Sequence, residues 1–147
     1  MSKRYKVVID TNVFIRGWFY NDLNCRLILD MIKKRKLYLA FSQDSIGELL
    51  YVTKNFSRRH ISNDSDRLTL LNGISKLFYY GSSANTVGMV DVDKVIDKTD
   101  LMFVHCAIKY GADYIISNDF KSGMFNLDSK YSFNVVDTNE FIRLINE

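Results

Sequence analysis

The sequence predicts an α/β fold, a three-layer α/β/α sandwich around a central, mostly parallel twisted sheet, and three observations carry that prediction. Short Val- and Ile-rich runs alternate with longer amphipathic segments. The intervals between successive runs suit crossover connections rather than tight hairpins. Twice an apolar run ends on or just before an aspartate, which is where open parallel sheets gather their functional side chains.

Residues 5–9 are apolar and β-branched and stop at Asp10, a run too brief for a helix and suited to a buried strand. Polar punctuation follows. From Asn21 onward Leu23, Leu27, Ile28, Met31 and Ile32 recur at helical spacing. That segment closes on Lys33, Lys34, Arg35 and Lys36, cations that suit the negative end of a helix. Residues 37–41 predict a second strand. Ser42 is placed to cap a helix carrying Ile46, Leu49, Leu50 and Thr53, and Leu68, Leu71, Ile74, Leu77 and Phe78 mark another amphipathic helix. Residues 81–85 are small and polar, a loop by composition, and residues 87–92 fit a short strand. Thr99 can cap a helix in which Phe103, Cys106, Ala107 and Tyr110 fall at i, i+3, i+4 and i+7, with Gly111 just beyond its end. Residues 114–116 and 133–136 predict the last two strands. Thr138 opens a terminal helix with Phe141, Leu144 and Ile145 inward.

With 147 residues, 47% hydrophobic and 14% aromatic, the chain is expected to form one domain over residues 1–147. A net charge of +3 is compatible with a nucleic-acid substrate without requiring one. Cys25 and Cys106 stand far apart in apolar, helical patterns. No Cys-x-x-Cys is present, so neither a structural zinc nor a disulfide framework is indicated and a reducing cytoplasm is the expected setting. The apolar run behind the basic N-terminus breaks at Asp10, too soon for a signal peptide or a membrane span. No membrane partner is expected.

Four acids fall at predicted strand ends or helix starts: Asp10, Glu48, Asp100 and Asp119. Each has a purely structural explanation. Asp10 and Asp119 suit turns, Asp100 suits the first turn of a helix, and Ser45-x-x-Glu48 matches a capping box. Together they point elsewhere. Carboxylates crowded on one rim repel one another and require a cation, and a hard, oxygen-liganded ion such as Mg2+ or Mn2+ suits such a rim. The lack of a His/Cys set speaks against zinc. Such a centre activates water and stabilises the oxyanions of an in-line attack on a phosphodiester.

At these positions the chain resembles a known family. Val7-Val8-Ile9-Asp10-Thr11-Asn12-Val13-Phe14 is similar to the opening signature of PIN domain nucleases, which include VapC-type toxins. Ser45-Ile46-Gly47-Glu48-Leu49-Leu50 resembles the family's second motif. Asp97-Lys98-Thr99-Asp100 leading into Phe103-Val104-His105-Cys106-Ala107 resembles the third, and Gly111 to Asp119 the fourth. The resemblance departs at Ser117-Asn118, where Thr-Gly is commoner, and in lacking a proline after Asp97. It implies a metal-dependent endoribonuclease with Asp10, Glu48, Asp100 and Asp119 as metal-binding acids, Asn12 and Ser117 orienting them, and Asp97 as an auxiliary acid. The toxin branch further implies a type II toxin–antitoxin pair with a cognate antitoxin, and a homodimer.

Two basic clusters are candidates for substrate phosphates: Lys33, Lys34 and Arg35, and Arg58 with Arg59 beside His60. The first also suits its helix terminus and the second reads equally as a solvated loop. Trp18, Phe19 and Tyr20 suit base stacking, partner docking or core packing alike. A haloacid-dehalogenase-like phosphotransferase needs a second acid where Asn12 stands, and a receiver-like phosphoacceptor needs neighbouring acids and a late lysine. Neither pattern fits. The remaining alternative is a non-catalytic PIN-like RNA- or protein-binding module, which four retained acids disfavour because carboxylates repel phosphate unless a cation intervenes.

Overall fold

In the computed structural model, residues 4–89, 95, 100–127 and 131–147 are described. β1 (Lys6–Ile9) lies at the centre of a five-stranded, wholly parallel sheet with β2 (Tyr38–Phe41), β3 (Ser82–Ser83), β4 (Tyr114–Ile116) and β5 (Asn134–Val136). The spatial order is β3-β2-β1-β4-β5. Val8 pairs with Ala40 on one side and Ile115 on the other, so the strands register their apolar residues across the sheet.

Period-two alternation sends neighbouring residues of β1 to opposite faces. Val7 and Ile9 join a core with Val13, Phe14, Ile28, Leu39, Ile116 and Phe141. Val8 joins a second core with Ala40, Phe103, Val104, Cys106, Ala107 and Ile115. One face is therefore covered by α1 (Thr11–Phe19), α2 (Leu23–Lys33) and α6 (Thr138–Ile145), and the other by α5 (Leu101–Tyr110). These are the three layers the apolar pattern predicts.

Several elements differ from the sequence reading. The punctuation after Asp10 is a helix, α1, with Thr11, Val13, Phe14, Ile15 and Gly17 buried. Its β-branched residues and Gly17 are weak helix formers, and burial overrides that propensity. Residues 81–85 contain β3, an edge strand whose Ser82 and Ser83 pair with Ala40 and Phe41. Gly81 makes that entry possible, since a Cβ there would lie 2.5 Å from a Phe41 ring carbon and 3.0 Å from the Leu39 carbonyl oxygen. Where residues 87–92 fit a strand, Val87 and Gly88 instead form a turn closed by the Met89 N–H on the Thr86 carbonyl; the remainder of that segment lies outside the described residues, as does Thr99.

α3 (Gln43–His60) begins, as expected, at Ser42, but its capping box pairs Ser42 with Ser45, leaving Glu48 out. It continues through Arg58, Arg59 and His60, which form its last turn rather than a loop. α4 (Asp64–Tyr80) buries Ile74 fully, and Phe78 packs on Phe41 at 5.3 Å. Leu68 and Leu71, expected inward, are 58% and 51% exposed, because α4 is held to the sheet through its C-terminal half. Gly111 ends α5 in the left-handed conformation (φ 76°), as its position predicts.

The chain leaves β1 toward β2 and β3 and later returns on its other side as β4 and β5. That reversal opens a crevice beyond the carboxyl ends of β1 and β4.

Candidate active site

Asp10 follows β1 directly, and Ser117 follows β4. The two strands are tied at that end by the Asp10 N–H on the Ile116 carbonyl (3.0 Å). Strand pairing thus sets the two polar segments side by side. Asp100 comes from a third direction, at the start of α5. One carboxylate oxygen from each of Asp10, Asp100 and Asp119 lies within 4.8 Å of the others.

Each acid has local support. Asp10 is the N-cap of α1, so the turn-capping explanation holds alongside the clustering. Its Oδ1 accepts the Asn12 N–H at 3.4 Å. Its other oxygen accepts the Ser117 hydroxyl at 2.7 Å, and the same Ser117 oxygen accepts the Asp119 N–H at 3.0 Å. One buried hydroxyl therefore spans two acids. Asp119 Oδ1 accepts the Lys121 N–H (3.1 Å), and the Ser122 hydroxyl donates to the Asp119 carbonyl (3.1 Å), shaping the loop that carries it. Asp100 directly precedes α5 and its carboxylate accepts no cap hydrogen bond there, so its helix-start explanation rests on the macrodipole alone.

Glu48 stands outside the group of three. Its Oε2 accepts the hydroxyl of Thr11, the first residue of α1. It is still close enough to raise the proton affinity of Asp10. Asn12 reaches Asp10 through its backbone N–H, and its side chain is exposed. Asp97 lies outside the described residues.

Burial is the main reason the Asp10 carboxyl sits above the ordinary carboxylate range. The Ser117 hydroxyl and the Asn12 N–H pull it back, while Glu48 and Asp119 push it further up. Charge here is costly without a counter-ion. The donor set is all carboxylate oxygen, which fits a hard divalent cation such as Mg2+ or Mn2+ and not a soft one. The buried Cys25 and Cys106 thiols are pushed up to about 12, mainly by burial, so neither supplies a thiolate nucleophile.

The basic clusters lie elsewhere. Lys34 is paired with Asp30 at 2.8 Å and the Arg35 guanidinium lies 3.5 Å over the Tyr80 ring, while Lys33 and Arg35 line a groove between α2 and α4. Trp18 packs on Phe14 at 5.3 Å. The sequence reading passed over Thr11, and over Asn118, whose Oδ1 accepts the N–H and hydroxyl of Thr138 (3.1 and 3.2 Å) and pins the end of β4 to α6. Both are small polar residues beside a strand-end acid, and that adjacency was the available signal.

A family model described as PIN domain matches residues 6–121. No curated protein matches the sequence. Among solved structures, VapBC2 from Rickettsia felis bound to a DNA fragment from its promoter is similar at a TM-score of 0.54 and 11% identity, covering 90% of this chain and 98% of that one. PAE2754 from Pyrobaculum aerophilum is similar at a TM-score of 0.56 and 13% identity, covering 97% and 90%. At these identities the likeness is one of fold.

Proposed function

The chain belongs to the PIN domain family, and on that premise we propose that it is a metal-dependent endoribonuclease that hydrolyses RNA phosphodiester bonds, with Asp10, Glu48, Asp100 and Asp119 as its working acids. The observation that carries this reading is the convergence of three carboxylates from three separate elements within 4.8 Å at the crevice of a parallel sheet.

Asp10, Asp100 and Asp119 are the groups that would hold Mg2+ or Mn2+, with Glu48 beside them. When bound, such a cation supplies Lewis acidity at the phosphate and lowers the pKa of water. The chain's own contribution is placement. Ser117 fixes one oxygen of Asp10 and the backbone of Asp119 together, so the two acids keep one geometry. The Asn12 N–H holds the other Asp10 oxygen, and Thr11 tethers Glu48 to the start of α1. The carboxylates keep phosphate away until a cation is present, which couples substrate approach to metal loading.

The test is cleavage of a fluorophore-quencher single-stranded RNA in Mg2+, in Mn2+ and in EDTA. Cleavage that requires the metal and disappears in Asp10→Asn is expected; cleavage indifferent to EDTA would overturn the reading.

The fold shared with VapBC2 and the motif resemblance to VapC-type toxins support placing the protein in a type II toxin–antitoxin pair with a cognate antitoxin, and that resemblance extends the reading to a homodimer acting in the cytoplasm. No described helix is long and apolar enough to cross a membrane. Exposed Leu23, Leu27, Leu68 and Leu71 offer apolar surface for protein contacts. Growth arrest on expression, relieved by a neighbouring gene's product, and a dimer mass by light scattering are the expected results.

A further inference from the structure

Beyond the carboxylates, α1 and α3 bring together two groups of side chains that are distant in sequence. Phe19 ends α1 and Tyr20 follows it, while Phe56 and His60 lie one turn apart near the end of α3. Their rings form a cluster with centroids 5.6 to 6.0 Å apart, and Phe56 and His60 lie nearly parallel at 17°. A cluster built only to pin two helices would bury its rings. Here Tyr20 is 53% exposed and His60 is exposed. Arg58 and Arg59 stand in the same helical turn, both exposed, and neither makes an ion pair among the described residues.

We propose that this aromatic and cationic cluster is a stacking platform for bases of single-stranded RNA, a subsite remote from the cleavage centre. The proposal rests on the ribonuclease reading above. α3 carries Glu48 near one end and His60 at the other, and the helix between them rises about 18 Å at about 1.5 Å per residue. That span accommodates several nucleotides of one strand. Without a cation the carboxylate rim repels the phosphate backbone, so metal-independent binding draws on other parts of the surface. Aromatic faces supply such binding without regard to sequence, and Arg58 and Arg59 add phosphate contacts and stacking of their own.

Binding of a fluorescein-labelled, iodouridine-substituted single-stranded RNA of about twelve nucleotides, measured by anisotropy in EDTA, isolates the platform from the metal centre. Wild-type protein should photocrosslink at Tyr20, Phe56 or His60. The double variant Tyr20→Ala, His60→Ala should bind at least about tenfold more weakly, since it removes two stacking faces. Tyr20→Phe, which keeps the ring, should retain affinity. Crosslinks confined to other surfaces, the outcome expected of a protein-docking patch, would overturn the platform. So would a folded double variant that binds within about twofold of wild type. If the alanine variant fails to fold, the wild-type crosslink map decides. A protein that cleaves RNA with metal yet gives no platform crosslink sinks only the platform; one that neither binds nor cleaves RNA sinks both readings.

Discussion

The two ends of the sheet offer opposite kinds of concavity. Beyond the carboxyl ends of β1 and β4, three acids share a narrow crevice and one of them, Asp10, is 4% exposed. Toward the amino ends of β1 and β2, α2 and α4 flank an open groove of about 940 Å3 with Leu29, Ile32 and Leu77 in its walls and Arg4, Arg26, Lys33, Arg35 and Lys76 around it. Volume marks the second and chemistry marks the first. Convergent polar groups with a perturbed proton affinity mark a reacting centre more directly than volume does, because only they can act on a substrate's developing charge.

The strongest way to break that comparison is to alter each end in turn. Asp10→Asn or Asp119→Asn is expected to lower RNA cleavage by more than about 100-fold, since outer-shell changes around a metal already cost about 10–100-fold. Leu27→Ser at the apolar groove should leave the rate within about twofold, as an exposed position remote from the acids. A reversed pattern in initial rates would show that the groove holds the chemistry. Ser117→Ala, which removes the hydroxyl bridging Asp10 and Asp119, should reduce cleavage about 10–100-fold while the protein stays folded. Unchanged cleavage would mean the acids need no common anchor.

At the other end, Gly81→Ala should cost about 2 kcal/mol in urea unfolding, because the new methyl meets two backbone carbonyls that have little room to move. The smallest expected effect is electrostatic. Burial raises the Asp10 pKa above its ordinary 3.8, so the folded protein holds that proton more tightly than the unfolded chain. Its stabilising contribution is complete below pH 3.8 and is lost as pH rises through the elevated value. In EDTA, the unfolding temperature of wild type relative to Asp10→Asn should therefore fall with rising pH, and Mg2+ or Mn2+ should recover the loss at neutral pH. A flat difference would mean that burying the charge has no cost.

Most of the α/β order was legible because β1, β4 and β5 are short β-branched runs, β2 is a short apolar one, and α2, α3 and α5 carry regular apolar spacing. α1 was not legible. Its exposed stripe is confined to Asn12, Arg16 and Tyr20, and three β-branched side chains and a glycine among its nine residues favour strand or turn. β3 escaped for the opposite reason: two serines carry no apolar signal, and only pairing with Ala40 and Phe41 makes them a strand. The aromatic cluster lay between these cases, with its two halves visible as separate motifs and their meeting invisible.

Local sequence by itself determined which residue types are available for chemistry and where they fall along the chain, since a strand's end and a helix's start are written in short-range pattern. Which of them meet was decided only in three dimensions. Ser117 reaches Asp10 across 107 positions and Thr11 reaches Glu48 across 37. The first contact depends on β1 pairing with β4 in the register that sets Ile9 against Ile116. A one-residue slip would turn those side chains to the other face, and no local periodicity encodes the choice.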